Sequence, residues 1–482
     1  MAPGDDTGPA AWAEFLRSQR WFAGKGRPIA SVELWDSIRL GGHPAPFGYR
    51  LIEVGYTAGP RERYALGRSA VVGQDPLGPP AEAAVTPAQV RALLEAIATG
   101  RVVEAEHGRL EFSLDAPDRV PRTDEVEDAA IVPVLGEQSN RSTRVGDRWM
   151  VKEYRLLQPG PNPDRELPQA LVRAGFDRVP RPVGGAVYRR RGIEPIDLIS
   201  VSEFVPNWGD GWTVWGRWLR ETPPDRLDSV LGGEAEAVGR LTGELHRTLA
   251  RIYGPGHVAD GLTETDLDRR RELWQERNDI AGHRLNVAGP RLRPDLADRI
   301  ARIEGWPRRL LPLARILPEV ARSGLLALRI HGDYHLGQLL RADDGYWILD
   351  FEGEPAHSIA ERRAVDWAAK DVAGMLRSID YRVRAGTEGP GGLRGPFSHP
   401  AGALRPRLVE RFLDAYEREI RRGPPGIQPD SPAAFDALVR YYSIEKLCYE
   451  LLYELDHRPD WLGIPLSALE ELLASPGVGV GR

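Results

Sequence analysis

The order of secondary-structure signals along these 482 residues predicts an α+β fold in two parts, strand-rich first and helical second. Three observations carry this. Short β-type runs bounded by turn residues dominate up to Val205. Long segments with helical apolar spacing take over from Trp212. A single hairpin pattern, Leu339-Leu340 and Tyr346 to Leu349 around Ala342-Asp343-Asp344-Gly345, interrupts the helical part. The length suggests about three domains, placed at 1–100, 101–207 and 208–482.

Residues 1–10 read as a flexible tail. Trp12 to Arg20 is a short amphipathic helix with Trp12, Phe15 and Leu16 on one face. Strand-like pieces follow around Ala30 to Leu40 and Gly48 to Tyr56, then a Pro/Gly-rich loop at 74–80. Thr86 caps a helix over Pro87 to Thr99, with proline in its first position. Strands are expected from Arg109 to Val201, broken by a helix from Pro163 to Ala174, and Leu198 to Val205 is one of them. Further on, Glu234 to Ala250 is an apolar-striped helix whose His246 reads as a residue that packs or hydrogen-bonds rather than one that performs chemistry. The strongly charged Thr265 to Ala281 reads as a largely solvated helix. Leu325 to Ile330 reads as a strand, Ala385 to Gly402 as a mobile Gly/Pro loop, and Arg405 to Arg421 and Pro432 to Leu455 as helices.

A net charge of −6 argues against a general nucleic-acid binder and suits a neutral or cationic small substrate. The sole cysteine, Cys448, excludes an internal disulfide and points to a reducing compartment. No signal-peptide pattern and no run long enough to span a membrane are present, so the expected location is the cytoplasm. Oligomeric state is left open. Of 64 basic residues only Lys25, Lys152, Lys370 and Lys446 are lysines. In a chain that uses arginine almost everywhere, the surviving lysines are candidates for places that need a compact ammonium group, Lys152 first among them, with chance survival as the alternative reading.

The segment from His331 to Ala373 carries the chemistry. Nucleotide-dependent phosphoryl transfer needs a carboxylate to take the acceptor proton and oxygen ligands to hold magnesium on the phosphates. Here Asp333 lies in a loop, Gln338 follows five residues later, and Asp350 closes the run Tyr346-Trp347-Ile348-Leu349. That is the kinase spacing of a loop acid, a nearby amide and a strand-end acid. His335 reads as a group that hydrogen-bonds the loop backbone.

The runs His331-Gly332-Asp333-Tyr334-His335-Leu336-Gly337-Gln338, Asp350-Phe351-Glu352-Gly353-Glu354-Pro355 and Asp371-Val372-Ala373 resemble the aminoglycoside-phosphotransferase-like kinases. Within them they resemble the bacterial maltokinase and related glucosamine kinase group. Gln19-Arg20-Trp21-Phe22-Ala23-Gly24-Lys25-Gly26 is similar to the start of that group's N-terminal cap. The resemblance implies a bilobal protein-kinase-like fold: a cap over 1–100, a nucleotide lobe over 101–207 and a helical lobe over 208–482. It implies Asp333 as base, Gln338 and Asp350 as magnesium ligands with Glu352 assisting through water, and Asp371 as a brace of the catalytic loop. Lys152 becomes the ATP-phosphate lysine and Glu166 its partner. Ser139 and Asn140 would cover phosphates, with Glu203 and Val205 at the adenine-binding hinge.

The resemblance places the acceptor sugar on Asp366, Lys370, Tyr449, Glu450, Tyr453, Glu454 and Trp461, where rings stack on sugar faces and carboxylates hold hydroxyls. Two departures from the maltokinase pattern bear on the sugar. Asp366-Trp367-Ala368-Ala369-Lys370 carries a tryptophan in place of a small residue, and Asp456-His457 replaces an amide. Trp367 could narrow a disaccharide pocket and Asp456 could face an ammonium group, or both could merely pack or face solvent. The expectation is therefore glucosamine to glucosamine 6-phosphate, with maltose to maltose 1-phosphate as runner-up. Remoter alternatives are an aminoglycoside phosphotransferase and a non-catalytic pseudokinase. The latter should have lost an essential group, whereas the lysine, base and metal ligands are all present.

Overall fold

The structure, a computed structural model, describes residues 9–41, 47–69, 82, 85–119, 129–134, 139–254, 262–354, 357–388 and 401–474. The expected features at 1–8, 74–80, 136–138 and 389–400 lie outside them. The chain divides into two compact units. The first comprises Met1–Val172, Val179–Pro206 and Glu354–Arg363; the second comprises Arg173–Arg178, Asn207–Gly353 and Ala364–Arg482.

The first unit opens with α1 (Pro9–Ser18), which starts where the tail was expected to end. Strands β1 (Ile29–Gly41), β2 (Phe47–Tyr56) and β3 (Glu62–Ser69) follow, then α2 (Pro87–Thr99) with the expected Thr86 cap. Next come β4 (Val102–Glu104), β5 (Arg109–Leu114), β6 (Ile131–Pro133), β7 (Arg141–Val145), β8 (Trp149–Glu153) and β9 (Leu156–Leu157). Helix α3 (Pro163–Arg173) and strands β10 (Pro182–Arg189) and β11 (Ile196–Glu203) complete it. One sheet has the order β1-β2-β3-β9, the other β4-β5-β10-β11-β8-β7-β6. Thus the segments 1–100 and 101–207, except Arg173–Arg178 and Asn207, lie in one unit, their strands mainly in separate sheets, with β9 the exception. Strand β2 is apolar on both faces because each face meets a core. Tyr49 and Leu51 join the core containing Leu93, Ile97, Val151 and Val201, while Ile52 and Val54 join Trp12, Leu16 and Phe22.

In the second unit α4 (Gly211–Glu221) and α5 (Pro224–Tyr253) precede α6 (Glu264–Ala288). The hairpin β12 (Leu339–Ala342) and β13 (Gly345–Ile348) follows, then α7 (Ala369–Glu388), α8 (Ala401–Ile420), α9 (Pro432–His457) and α10 (Gly463–Ala474). Helix α5 begins ten residues before the expected Glu234. Its interior Gly232 is tolerated because it is buried, and a side chain there would meet Arg411 of α8 at 2.8 Å. Leu325 to Ile330 is not a strand. Leu328 makes one two-way bridge with Asp366, both bonds 2.8 Å, and Leu326 instead donates to Gly426 at 2.8 Å. Cys448 is buried and packs with its sulfur 3.0 Å from Asn278 Oδ1.

Candidate active site

Strand alternation on β8 turns Trp149, Val151 and Glu153 inward and leaves Lys152 on the other face. Lys152 Nζ lies 2.8 Å from Asp164 Oδ2, and the Tyr154 hydroxyl sits 3.1 Å from the same oxygen and 3.0 Å from Ser200 Oγ. Asp164 stands in the first turn of α3, where the helix dipole favours a carboxylate. This corrects the expected pairing of Lys152 with Glu166. Residues two apart on a helix point to different sides, and Glu166 accepts from Arg363 Nη2 at 2.8 Å and Nε at 3.1 Å. The neighbouring Glu153 is bound by Arg141 at 2.5 and 2.6 Å and by the Tyr49 hydroxyl at 2.5 Å, which ties β2 to the lysine strand.

Asn140 also departs from expectation. It is buried, and its Oδ1 accepts from the Arg155 N–H at 3.4 Å, so this oxygen serves the fold. Ser139 is exposed. At the expected hinge the Glu203 N–H already donates to Arg181 at 2.9 Å, its carboxylate meets Arg119 at 3.2 Å, and Val205 is buried. The amide of Glu203 is therefore committed within the fold.

The loop of the second unit that carries Asp333 is pinned from beneath. Asp371, in the first turn of α7, accepts from the His331 and Gly332 N–H groups, each at 2.9 Å, and meets His246 Nε2 at 3.2 Å. Burial would raise the Asp371 carboxyl; the His246 hydrogen bond and the loop groups outweigh it and hold the pKa below the usual range. Gly332 has φ +85°, and a side chain at Gly374 would meet the Tyr334 carbonyl at 2.6 Å, so loop and helix approach closely. His331 receives the Asp333 N–H at Nδ1 (3.4 Å) and donates from Nε2 to the Leu349 carbonyl at 2.8 Å, which joins the loop to the strand end. His335 Nδ1 accepts from Gly337 at 3.0 Å, the backbone role expected of it.

Gln338 Nε2 donates to Asp350 Oδ2 at 3.2 Å, and carboxylate oxygens of Asp350 and Glu352 lie within 4.8 Å of each other. Asp350 is the one non-glycine residue at positive φ (59°) among the described residues. Such strain persists where surrounding structure requires it; here it aims a carboxylate toward the loop. Two acids and an amide oxygen form a hard donor set suited to magnesium.

Helix α9 carries most of the residues expected to meet the sugar. Tyr449, 59% exposed, stacks on Tyr453 at 6.0 Å, and Tyr453 on His457 at 4.7 Å. Arg458 lies over Tyr453 and Trp461. The acids turn the other way. Glu450 is held by Arg377 at 2.5 Å. Glu454, only 1% exposed, is held by Tyr381 and Arg458, both at 2.6 Å. Glu454 is thus a buried link between α9 and α7 rather than an open sugar clamp. Asp366 accepts from Tyr442 and Arg270, with Lys370 at 3.7 Å. Trp367 is buried and packs, and Asp456 pairs with Arg284. Of the two readings open for each, packing describes Trp367 and a partly exposed ion pair describes Asp456.

A family model, the phosphotransferase enzyme family, matches residues 130–428, well over half the chain. The chain belongs to the phosphotransferase enzyme family. A second model, the maltokinase N-terminal cap domain, matches residues 15–98 of this phosphotransferase. A glucosamine kinase of Streptacidiphilus jiangxiensis is 31% identical over 71% of this chain and 74% of its own length. A glucosamine kinase of Mycolicibacterium smegmatis is 28% identical over 71% of this chain and 79% of its own. The solved structure of a glucosamine kinase in complex with glucosamine, ADP and inorganic phosphate aligns with a TM-score of 0.66 at 23% identity, covering 98% of this chain and 100% of that one. The phosphotransferase thus has the α+β, protein-kinase-like fold expected of it. Among the described residues no helix is long and apolar enough to cross a membrane.

One residue of the phosphotransferase's catalytic region had no assigned role in the sequence. Lys446 Nζ, on α9, lies 2.8 Å from Asp333 Oδ1. The scarcity of lysine had marked it, but nothing local pointed to its partner 113 residues away.

Proposed function

We propose that this phosphotransferase is an ATP-dependent sugar kinase that transfers the γ-phosphate to glucosamine, giving glucosamine 6-phosphate. The chemistry rests on Asp333 held in a braced loop beside Gln338 and Asp350. The choice of sugar rests on the two relatives that are glucosamine kinases.

In this reading Asp333 orients the acceptor hydroxyl and takes its proton as the new O–P bond forms and ADP departs. Lys152 supplies a cation for the nucleotide phosphates. Gln338 Oε1, Asp350 and Glu352 would hold magnesium, which when bound neutralises phosphate charge. Tyr449 and Tyr453 offer ring faces to the sugar. Lys152→Ala is expected to raise KM for ATP roughly 10- to 100-fold, the loss of a charge-assisted contact. A titration of initial rate against ATP measures it, and an unchanged KM would remove Lys152 from the phosphate site.

ADP release measured with glucosamine, glucose, maltose and kanamycin at equal concentrations tests the substrate. Glucosamine should be fastest. The match of residues 15–98 to the maltokinase cap favours maltose as the second reading, and turnover of maltose without glucosamine would establish it.

A further inference from the structure

The two oxygens of the Asp333 carboxylate have different surroundings. Oδ1 is gripped by Lys446 at 2.8 Å, whereas Oδ2 has His335 Nε2 at 3.8 Å, beyond hydrogen-bond length. Lys446 is itself seated: the Tyr449 ring lies 5.3 Å from its ammonium, one helical turn along α9. Both side chains of the pair are mostly covered, 26% and 18% exposed, so the contact is only partly screened by water. A flexible lysine stem carrying a point charge fits a single oxygen, where the arginine used elsewhere would engage both.

We propose that Lys446 is a positioning residue of the transfer: from α9 it fixes one oxygen of the base, keeps the carboxylate charged, and leaves the other oxygen to the acceptor hydroxyl. The proposal rests on Asp333 being the base. It also gives α9 two tasks, since the helix that presents Tyr449 and Tyr453 to the sugar also aims the group that receives the sugar's proton.

The titration of Asp333 supports the geometry. Burial raises its carboxyl, but Lys446 from α9, with His335 and His331 from its own loop, brings it down to about 2. Without the ammonium, burial acts less opposed, and Asp333 protonates at higher pH. A depressed carboxyl is active above its pKa and inactive below it, so the acid limb of the rate profile must move upward.

The experiment is kcat against pH at saturating ATP and sugar for the wild type, Lys446→Met and Lys446→Arg. Lys446→Met should raise the acid limb by about one pH unit or more and lower kcat at neutral pH by about tenfold or more, with KM for ATP unchanged. Lys446→Arg should keep the limb near the wild-type position. An unmoved limb in a folded Lys446→Met variant overturns the proposal, as does an equal shift in Lys446→Arg. Should the methionine variant not fold, Lys446→Gln carries the same test. Full activity in Asp333→Asn would defeat the base assignment and this proposal together. An inactive Asp333→Asn with an unmoved limb in Lys446→Met would defeat only the role of Lys446.

Discussion

Asp333→Asn should lower kcat by about 10²- to 10⁴-fold, the usual range for a lost general base, while KM for ATP stays near the wild-type value. The amide keeps the shape of the side chain and the loop backbone that His331 and Asp371 fix. It cannot accept the acceptor proton. The separation of effects follows from position: Asp333 belongs to the His331–Gln338 loop, whereas Lys152, proposed to meet the phosphates, stands on β8. Steady-state kinetics with independent ATP and sugar titrations measures both quantities. A variant that kept full turnover would show that another group receives the proton, because no relaxation of the loop restores a base to an amide.

Asp371→Ala should destabilise the second unit by about 3–5 kcal/mol, as expected when one partner of a buried charged network is deleted. The carboxylate is 1% exposed and serves two backbone N–H groups and His246. Alanine leaves the buried His246 and His331 N–H groups, and the half-buried Gly332 N–H, without it. Denaturant unfolding measures the loss, and a kcat decrease should accompany it because the loop carrying Asp333 loses its brace. Asp371→Asn should cost less and reveal a pH dependence. The folded-state carboxyl is depressed below its unfolded value. Its contribution is therefore complete above the ordinary carboxylate range and is lost as pH falls through the folded value. The stability gap between wild type and Asp371→Asn should narrow in acid. A gap that stayed constant would mean that charge at this position does not hold the loop.

The parts of the site legible in the sequence are those whose geometry is local. Asp333 and Gln338 lie five residues apart in one loop, and Asp350 ends the hairpin that returns beside it. The Thr86 cap is equally local, since its partner is the third residue of the helix it opens. Errors arose where two candidates of the same chemistry sat close together in sequence. Asp164 and Glu166 are both acids near the start of α3, and only the face that α3 presents to β8 distinguishes them. Glu450 and Glu454 were separated from Tyr449 and Tyr453 by spacing alone, which could not say that the acidic face packs on α7 while the aromatic face stays accessible.

By itself the sequence determined the order of elements and the family-type motifs, and it offered the candidates for the base and its two neighbours and the suspicion attached to each rare lysine. These follow from hydrophobic period, capping and short-range spacing, which act within a few residues. Only the tertiary structure decided that Lys446 meets Asp333, that His246 joins the expected brace Asp371, and that Trp367 packs while Asp456 forms an ion pair. Those choices depend on which helix faces meet. A long-range ion pair forms only after packing has brought its charges within a few ångströms, so its identity is not written in either segment alone.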